Sequence, residues 1–518
     1  MSNAKSHTEV SVLIVGAGPA GLTAAIALAR QGVECLLVER RRELSGLPRA
    51  TGMNLRAMEL MRSWGLEEEV RDGAVDVEWN GWVGDTLSSA GSVAPLGWPS
   101  RAQSAVVSPT KPACVAQDHL EPVLLRHLAS FGAARVRFAT EVTAVEAGEE
   151  GVRATLRDVA TGEPRTVHAR YLVGADGAHS AVRTSLGISM HGPGDLDRAV
   201  TALFRAPLWE LLGERRYALY DINHPDAAGI ILPAGRGDRW LYGTRVRPGS
   251  EHLAGATEEQ LRRRIRVAVG DPALQPRIER IGAFTFAAQL AERFRKEGAF
   301  LVGDAAHRMT PRGGNGMNTA IHDGHDLGWK LAWVLRGWAG PALLDSYEAE
   351  RRPVAEHNTA RSADPEGTVQ DVAQATHADI GGRIAHVWLR SSAGRRSTLD
   401  LLGDGLTLFT GPRRAAWEAA AAAVSRPMPL VVYGLDPIVA RALGIRGAGA
   451  LLVRPDGTPA GWWPDDAHAG TALRAAVASG SAVERGRGLK APGAAGRPRA
   501  GRSAGHLVRS PGHSRERR

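Results

Sequence analysis

Three glycines near the start of the chain have the spacing of a phosphate-binding turn. Gly16, Gly18 and Gly21 form the pattern GxGxxG in VLIVGAGPAGLTAAIALARQG, between an apolar run and a stretch with helical spacing. In such turns the glycines allow a tight bend, close approach of backbone N–H groups to a pyrophosphate, and close packing of helix on sheet. Glu39 ends the next apolar run, where a carboxylate would bind an adenosine ribose. Glycine-rich turns are common, but these features in register predict a site for FAD or NAD.

Two later segments distinguish these cofactors. In YLVGADGAHSAVR, Asp176 and Gly177 follow an apolar run; in FLVGDAAHRMTPRGGNGMN, Asp304 ends an apolar run and a glycine-rich turn begins at Pro311. Asp304 alone could cap a helix. A carboxylate at that place can also accept a hydrogen bond from a flavin ribityl hydroxyl. Backbone amides at the helix start after the turn can stabilise the negative charge of reduced flavin. The combination favours FAD.

A metal centre is not expected. His322 and His325 lie at i and i+3 of a predicted helix near His307, but no carboxylate or cysteine set completes a site. Cys35 and Cys114 are the two cysteines and form no CxxC pair. This cysteine content fits a reducing, cytoplasmic location.

The net charge of +9 is concentrated at the C-terminal end. Segment 481–518 contains ten basic and two acidic residues, whereas the other 480 residues contain 54 basic and 53 acidic ones. This segment is rich in Gly, Ala, Pro and Arg, so we expect a disordered, solvated tail and no nucleic-acid partner. The chain contains no apolar run of about 18 residues, so we expect no membrane span. The polar first ten residues do not resemble a secretory signal.

The elements that must position these motifs are those of an α/β protein. The chain opens with a strand–helix–strand unit, and later apolar runs predict further strands, a β-rich insertion at 198–246, a long helix at 314–338 and a smaller α/β unit near the end. The other predicted strands are 135–147, 152–156, 166–174, 300–302, 398–400, 406–410, 429–433 and 450–454. The other predicted helices are 57–64, 117–131 and 415–424.

Together the three motif segments resemble the group A flavoprotein monooxygenases, the para-hydroxybenzoate hydroxylase superfamily, over about the first 360 residues. PRATGMNLRAMELMRSWGLEEEV and GPALLDSYEAERRPVA are similar to the actinobacterial aromatic polyketide hydroxylases. Segment 398–479 resembles the thioredoxin-like domain appended to that subfamily. It contains no CxxC, so we expect a packing role for it and no dithiol chemistry.

The resemblance implies a Rossmann-like FAD-binding domain with an inserted, mostly antiparallel β-sheet substrate domain and a C-terminal thioredoxin-like α/β domain. The expected FAD-binding parts are 1–75, 111–190 and 281–375; the substrate-domain parts are 76–110 and 191–280. The thioredoxin-like domain would occupy 385–480, before the basic tail at 481–518.

The resemblance also implies cofactor contacts. Arg49 and Pro311 would lie beside the reacting part of the flavin and are the expected catalytic residues. The expected cofactor-binding residues are Gly16, Gly18, Pro19, Ala20, Gly21, Glu39, Arg40, Arg49, Gln117, Val142, Asp176, Gly177, Gly303, Asp304, Pro311, Gly314, Gly316, Met317 and Asn318.

The implied reaction is hydroxylation of an aromatic, polycyclic polyketide-type substrate. NADPH or NADH would reduce FAD, O₂ would add at flavin C4a, and the hydroperoxide would transfer oxygen to an electron-rich carbon. The chain contains one GxGxxG, so we expect a transient nicotinamide site beside the flavin. The substrate would lie between the flavin and the inserted sheet. The candidate contacts are Tyr217, Tyr220, Trp240 and Tyr242, with Trp79 and Trp82 as further candidates, although aromatic strand residues are more often core.

Three other functions compete with aromatic hydroxylation, of which two stay open and one is disfavoured. A Baeyer–Villiger-type or dioxygenase-like oxygen insertion would use the same motifs, and a non-catalytic FAD-binding protein would share the fold. A flavin halogenase is disfavoured because the WxWxIP motif is absent. The oligomeric state, monomer or homodimer, is left open.

Overall fold

The GxGxxG segment forms the first turn of a strand–helix–strand unit at the centre of a largely parallel sheet. The computed structural model describes residues 8–246, 255–364, 371–391, 394–424 and 428–478. The predicted basic tail lies outside these residues.

The helices and strands divide the chain as follows. The α-helices are α1 Pro19–Arg30, α2 Leu55–Ser63, α3 Glu67–Asp72, α4 Arg101–Val107, α5 Gln117–Ala129, α6 Ala181–Ser185, α7 Leu208–Leu212, α8 Glu258–Val269, α9 Gly316–Leu335, α10 Asp345–Ala363, α11 Val372–Ile380, α12 Ala415–Ala422, α13 Pro437–Ala442 and α14 Ala469–Ala478. The strands are β1 Thr8–Val15, β2 Cys35–Val38, β3 Ala74–Val75, β4 Glu78–Gly84, β5 Gly91–Pro95, β6 Cys114–Val115, β7 Ala134–Arg137, β8 Thr140–Gly148, β9 Gly151–Asp158, β10 Pro164–Gly174, β11 Met190–His191, β12 Asp197–Arg205, β13 Tyr217–Ile222, β14 Gly229–Pro233, β15 Arg239–Arg245, β16 Arg277–Phe286, β17 Gln289–Ala291, β18 Arg295–Lys296, β19 Ala299–Leu301, β20 His307–Arg308, β21 Trp388–Ser391, β22 Gly394–Ser397, β23 Leu406–Thr410, β24 Leu430–Gly434, β25 Ala450–Val453 and β26 Pro459–Trp463.

The central sheet carries the three cofactor motifs. Its strand order is β18-β19-β10-β1-β2-β7, with parallel pairing from β19 to β7, and β9 and β8 extend from β10. Helices cover both faces of such a sheet, which explains why β1, β2 and β19 are continuous apolar runs. The long helix α9 packs directly on α1, since a Cβ at Gly324 would lie 2.3 Å from the Ala20 carbonyl oxygen. The motifs after β1, β10 and β19 therefore meet at one end of the sheet.

A seven-stranded sheet is inserted into this domain. Its order is β16-β12-β15-β14-β13-β4-β5, antiparallel except for the β13–β4 pair. One of its faces packs against α7 and α8 in a separate apolar core. The predicted β-rich insertion is confirmed as a mostly antiparallel sheet.

The C-terminal part is a four-stranded sheet of order β24-β23-β25-β26. Alternate residues of β23 point to different sides: Leu406 and Leu408 join the main core with α12 and α14, whereas Phe409 packs beside α13. This arrangement, with helices on both faces, agrees with the thioredoxin-like α/β domain that the sequence predicts.

Three predicted elements need correction. The predicted strand at 135–147 is two strands, β7 and β8, separated by Ala139 in the left-handed region (φ 51°). The predicted strand at 398–400 is a 3-10 helix, Thr398–Leu401, because Ser397 and Asp400 form a capping box. The long helix starts at Gly316, after a separate 3-10 turn Arg312–Gly314. Among the described residues, no helix combines the length and apolar character needed to cross a bilayer.

Candidate active site

The GxGxxG turn is shaped by two glycines and left open at the third. Gly16 has φ 108°, and a Cβ there would lie 2.4 Å from the carbonyl oxygen of Ala175. A Cβ at Gly21 would lie 2.0 Å from the carbonyl oxygen of Gly16. Apart from its neighbours in the chain, no described residue has an atom within 4 Å of the Cβ position of Gly18, the residue that precedes the first turn of α1. The free N–H groups of that turn therefore border an open space, as an incoming pyrophosphate requires.

Glu39 is held at this turn by the backbone. Its carboxylate accepts hydrogen bonds from the N–H groups of Ala17, at 2.9 Å, and Arg41, at 3.0 Å. Each oxygen keeps a second lone pair for a ligand. The neighbouring Arg40 is exposed. This position next to the glycine turn fits the expected contact with an adenosine ribose.

Asp304 stands unpartnered in the cleft. It follows Gly303, whose φ of 58° and near contact with Ala320 exclude a side chain there. The Asp304 side chain is exposed, and the described residues donate no hydrogen bond to its carboxylate. Partial desolvation in the cleft raises the pKa of Asp304, while His307 and Arg49 act in the opposite direction. A carboxylate with free lone pairs beside a glycine turn fits a ribityl hydroxyl.

Arg49 connects the motifs electrostatically. Desolvation and the nearby charge of Arg41 lower the pKa of Arg49, and the carboxylates of Glu121, Asp304 and Glu39 act against them. These three carboxylates come from three separate segments. The structure thus brings the segments together around one exposed guanidinium.

The predicted helix residue Gln117 contributes through Glu121 and the Arg49 loop. Its side-chain amide donates to Glu121 at 2.7 Å, and its backbone N–H donates to the carbonyl oxygen of Ala50 at 2.8 Å. Burial raises the pKa of Glu121. The start of α5 is therefore joined to the segment that carries Arg49.

Asn318 ties two cofactor loops together. Its side-chain amide donates to the carbonyl oxygens of Gly52, at 3.0 Å, and Gly314, at 2.9 Å, and its oxygen accepts the N–H of Asn54 at 3.0 Å. The side chain is buried, so contact with a cofactor falls to backbone groups. The first N–H groups of α9, at Gly316, Met317 and Asn318, have no partner within the helix. They can face the flavin ring edge.

A buried triad that the sequence analysis missed supports the Asp304 turn. His307 Nε2 lies 2.5 Å from Asp323, Arg351 donates to the other Asp323 oxygen at 2.7 Å, and the Gly303 N–H donates to Asp323 at 3.1 Å. Burial raises the pKa of Asp323, but Arg351 and His307 outweigh it and hold the pKa at about 2. No short-range sequence signal connects these residues, which lie on three elements.

Comparisons with known proteins agree with this geometry. A family model described as FAD binding domain matches residues 9–362, and one described as aromatic-ring hydroxylase, C-terminal, matches 377–480. Aklavinone 12-hydroxylase DnrF of Streptomyces peucetius subsp. caesius is 38% identical over 471 residues, which cover 82% of this chain and 96% of that protein. Tetracenomycin A2 monooxygenase-dioxygenase of Streptomyces glaucescens is 34% identical over 523 residues, covering 87% and 93%.

Solved structures extend the likeness to the whole described fold. The ternary complex of aklavinone-11 hydroxylase with FAD and aklavinone has a TM-score of 0.82 at 33% identity, covering 92% of this chain and 99% of that one. The monooxygenase PieE in complex with FAD and substrate has the same TM-score at 29% identity, covering 90% and 99%. This chain belongs to the FAD-dependent aromatic-ring hydroxylases. Its cofactor is FAD, and it is a monooxygenase.

In this monooxygenase the DG motif shapes its own turn. The Asp176 carboxylate accepts hydrogen bonds from Ser180 Oγ, at 2.5 Å, and from the Val182 N–H, at 3.0 Å. Arg183 donates to the carbonyl oxygens of Ala178, at 3.2 Å, and Ala305, at 3.1 Å, which joins this turn to the Asp304 turn. Gly177 has φ 81° and open space around it.

Two groups of expected ligand contacts have buried side chains. Val142 is 4% exposed in the main core, so a contact with the cofactor falls to its backbone groups, as at Asn318, and stays a prediction. Tyr220, Trp240 and Tyr242 have no exposed surface. Their polar groups donate to backbone carbonyl oxygens of Arg215, Ala206 and Ala227, respectively.

The burial of the three aromatic residues follows from the alternation of side chains in a strand. Tyr220, Trp240 and Tyr242 lie on the face of the inserted sheet that packs on α7 and α8. Tyr217 is half-buried against the same core, and Trp82 is a member of it. The three side chains therefore have no surface that a substrate could contact in this structure, and the opposite face of the sheet carries their neighbours in sequence.

That other side is named here the cleft face. In the strand registers, its side chains form two rows: Leu219, Leu232, Leu241 and Leu203; and Asp221, Ile230, Gly243 and Thr201. Most of these residues are partly exposed, and Leu219, Ile230, Leu232 and Leu241 join none of the apolar cores.

The cleft face lies against the loop that precedes α9. Trp79, on this face, stacks on Trp98 with ring centroids 4.3 Å apart, and Trp98 lies 3.2 Å from the Cβ position of Gly314. The Arg312 guanidinium lies 5.7 Å from the ring centroid of Phe286, also on this face. Sequence analysis named Trp79 but missed Trp98, which lies in a loop with no regular pattern.

The acidic side chains that come closest to a metal-ligand arrangement are already paired. Among the described residues, Asp326, Glu350 and Asp456 have oxygens within 4.8 Å of one another. Lys330 Nζ lies 2.7 Å from Asp326 and 2.8 Å from Glu350, and Arg454 pairs with Glu350 and Asp456. The two cations therefore occupy the positions that a metal ion would need.

Proposed function

We propose that this monooxygenase hydroxylates a hydroxylated polycyclic aromatic compound of the polyketide type, with NADPH or NADH as electron donor and O₂ as the source of the inserted oxygen. FAD, when bound, supplies the activation of O₂ and the transfer of one oxygen atom. The partners in this proposal are small molecules.

One observation carries the substrate class. The cleft face is a partly exposed, apolar surface of leucine and isoleucine side chains whose centre is flattened by Gly243 and Thr201. A flat apolar surface suits a fused-ring ligand better than a single polar ring. The stacked pair of Trp79 and Trp98 adds an aromatic wall beside the same cleft.

The chain's own residues have definable tasks in this reaction. Gly18 and the start of α1 would bind the pyrophosphate, Glu39 the ribose and Asp304 the ribityl chain. The N–H groups at the start of α9 would stabilise negative charge on the flavin ring, and Pro311 would lie beside its reacting edge. The cleft face would hold the aromatic carbon in reach and exclude water. Similar proteins are named aklavinone 12-hydroxylase and putative polyketide hydroxylase, which supports the same assignment.

The test is coupled turnover. FAD-loaded enzyme is incubated with NADPH or NADH and a panel of hydroxylated anthraquinones and angucycline-like compounds, and coenzyme consumption is compared with product formed. We expect substrate-stimulated oxidation with about one hydroxylated product per coenzyme. Coenzyme oxidation that yields only hydrogen peroxide with every compound would contradict the proposed substrate class.

A second outcome has specific support. The similar protein of Streptomyces glaucescens is named a monooxygenase-dioxygenase, so insertion of more than one oxygen atom is the alternative. Mass spectrometry of product formed under ¹⁸O₂ distinguishes the two. One labelled oxygen on a ring carbon indicates hydroxylation, whereas two labelled oxygens or a lactone indicate the alternative.

A further inference from the structure

The cleft face contains a carboxylate in an otherwise apolar row. Asp221 lies on β13 opposite Ile230 of β14 and Val83 of β4, and the row continues through Gly243 and Thr201. Its side chain is half-buried. Its sequence neighbours Tyr220 and Ile222 point into the core on the other side of the sheet, so the register fixes Asp221 on the ligand side.

No described residue donates a hydrogen bond to the Asp221 carboxylate. The nearest strongly interacting charge is Arg245 of β15, but its Nε forms an ion pair with Asp197 of β12 at 3.3 Å. Burial raises the pKa of Asp221, and Arg245 opposes this change. A partly desolvated carboxylate without a donor costs free energy, which a hydroxyl donor from a ligand would recover.

The charged groups around this site come from three elements. Arg245 and Asp197 lie on the cleft face, and Arg312, before α9, lies close enough to both for them to influence its pKa. Arg312 lies 5.7 Å from the ring centroid of Phe286, which pairs with Asp197 on the cleft face, so the loop that begins at Pro311 lies on this side of the sheet. Asp221 is therefore on the wall of the cleft that faces the flavin-binding loop.

We propose that Asp221 accepts the proton of a phenolic hydroxyl of the bound substrate and so both orients and activates the ring. The inference rests on the proposed function. In this step the substrate O–H bond breaks, the proton passes to an oxygen of the Asp221 carboxylate, and the electron pair stays on the substrate oxygen. The phenolate is more electron-rich at its ortho and para carbons, so attack on electrophilic oxygen is faster. The proton returns to the product oxygen after transfer, and no further reactant is needed.

The test compares Asp221→Asn with wild type and with Asp226→Asn, a matched change of an exposed carboxylate five residues later. Asparagine keeps the shape of the side chain but cannot take a proton. FAD content, melting temperature and the rate of FAD reduction by NADPH are measured first, and we expect them to be unchanged in both variants. With 1,8-dihydroxyanthraquinone as the probe, binding is followed by its absorption spectrum, and turnover is followed across pH.

We expect wild type and Asp226→Asn to bind the probe with a red-shifted, phenolate-like band. Asp221→Asn should lose this band and about 100-fold in kcat, within the range for loss of a general base. Its activity should recover at alkaline pH, where the phenol ionises without help, and Asp221→Glu should restore part of it at neutral pH. A monomethyl ether that lacks the relevant hydroxyl should be turned over equally by all forms.

Two results would overturn the inference, and they are distinguishable. If Asp221→Asn keeps the spectrum, the kcat and the pH profile of wild type, Asp221 has no such role while the proposed function stands. If wild type neither binds nor hydroxylates any compound of the panel although its FAD is reduced, the proposed function fails and the role of Asp221 with it.

Discussion

Arg454 and Glu350, 104 residues apart, form a two-pronged ion pair: Arg454 Nη1 and Nη2 donate to the two Glu350 oxygens at 2.7 and 2.9 Å. Arg454 follows β25 of the C-terminal domain and is 2% exposed, and Glu350 lies on α10 of the FAD-binding domain. Lys330 of α9 donates to Glu350 as well, at 2.8 Å. The two domains are thus joined by a partly buried ionic cluster as well as by apolar packing.

Arg454→Ala is expected to destabilise the protein by about 2–3 kcal/mol, because it leaves the largely buried Asp456 carboxylate without its cation, whereas the partly exposed Glu350 keeps Lys330. Thermal unfolding, followed by tryptophan fluorescence, measures the effect. The exposed Arg441→Ala of α13 serves as the control, with a change below about 0.5 kcal/mol. Equal melting temperatures for the two variants would show that the cluster contributes nothing to domain docking.

Two variants of the glycine turn should separate an effect on folding from an effect on FAD binding. Gly16→Ala places a Cβ 2.4 Å from the Ala175 carbonyl oxygen at φ 108°, so we expect a loss of folded protein even without cofactor. Gly18→Ala meets no atom within 4 Å and should fold normally, but its methyl group enters the space left for the pyrophosphate and should weaken FAD binding at least tenfold. Melting of the apoprotein and FAD titration separate the two effects. Normal FAD affinity in Gly18→Ala would place the pyrophosphate elsewhere.

Asp323→Asn tests the buried triad. The native pKa of about 2 lies below the ordinary 3.8, so the wild type binds fewer protons than the unfolded chain in this range. The contribution to stability is therefore present above about pH 4 and is lost as pH falls toward 2; it amounts to about 2 kcal/mol. We expect the variant to be less stable at pH 7 and to lose this acid dependence, as measured by urea unfolding at several pH values. Wild-type pH dependence in the variant would contradict the assigned charge of Asp323.

Asp304→Ala should weaken FAD binding without loss of stability. The Asp304 carboxylate makes no hydrogen bond with the described residues, so its removal costs the apoprotein nothing and relieves partial desolvation. We expect an unchanged or higher melting temperature of the apoprotein and an FAD dissociation constant raised about tenfold, as for the loss of one hydrogen bond to a charged group. A lower melting temperature with normal FAD affinity would make Asp304 a structural residue.

The cofactor-binding residues whose positions depend on local spacing can be predicted from the sequence. The positions of Gly16, Glu39 and Asp304 at strand ends follow from apolar runs and glycines a few residues apart, and the structure brings them to one end of the central sheet. The triad of His307, Asp323 and Arg351 has no such signal, because its members are joined only after α9 and α10 pack on the sheet.

The residues that line the substrate cleft could not be predicted from the sequence, for a different reason. Strand alternation shows that Tyr220 and Asp221 face opposite ways, but it does not show which side the helices cover. The sequence predicts the large aromatic residues as ligand contacts, whereas in the structure their burial against α7 and α8 stabilises the inserted sheet. The smaller residues next to them in sequence therefore lie on the cleft face.

Paired variants on the two faces of the inserted sheet test directly whether the substrate contacts the cleft face or the buried aromatic face. Tyr242→Phe removes the hydrogen bond to the Ala227 carbonyl oxygen inside the core, so we expect a loss of about 1 kcal/mol in stability and an unchanged KM. Leu241→Ala, one residue earlier and on the cleft face, removes partly exposed apolar surface that contacts the proposed ligand. We expect a small change in stability and a KM raised about tenfold, with FAD affinity unaltered. The reverse pattern, a KM effect in Tyr242→Phe and none in Leu241→Ala, would return the substrate to the aromatic face. Both residues lie on β15, so a general distortion of the strand would change both the stability and the KM in both variants. That result would distinguish distortion from either specific effect.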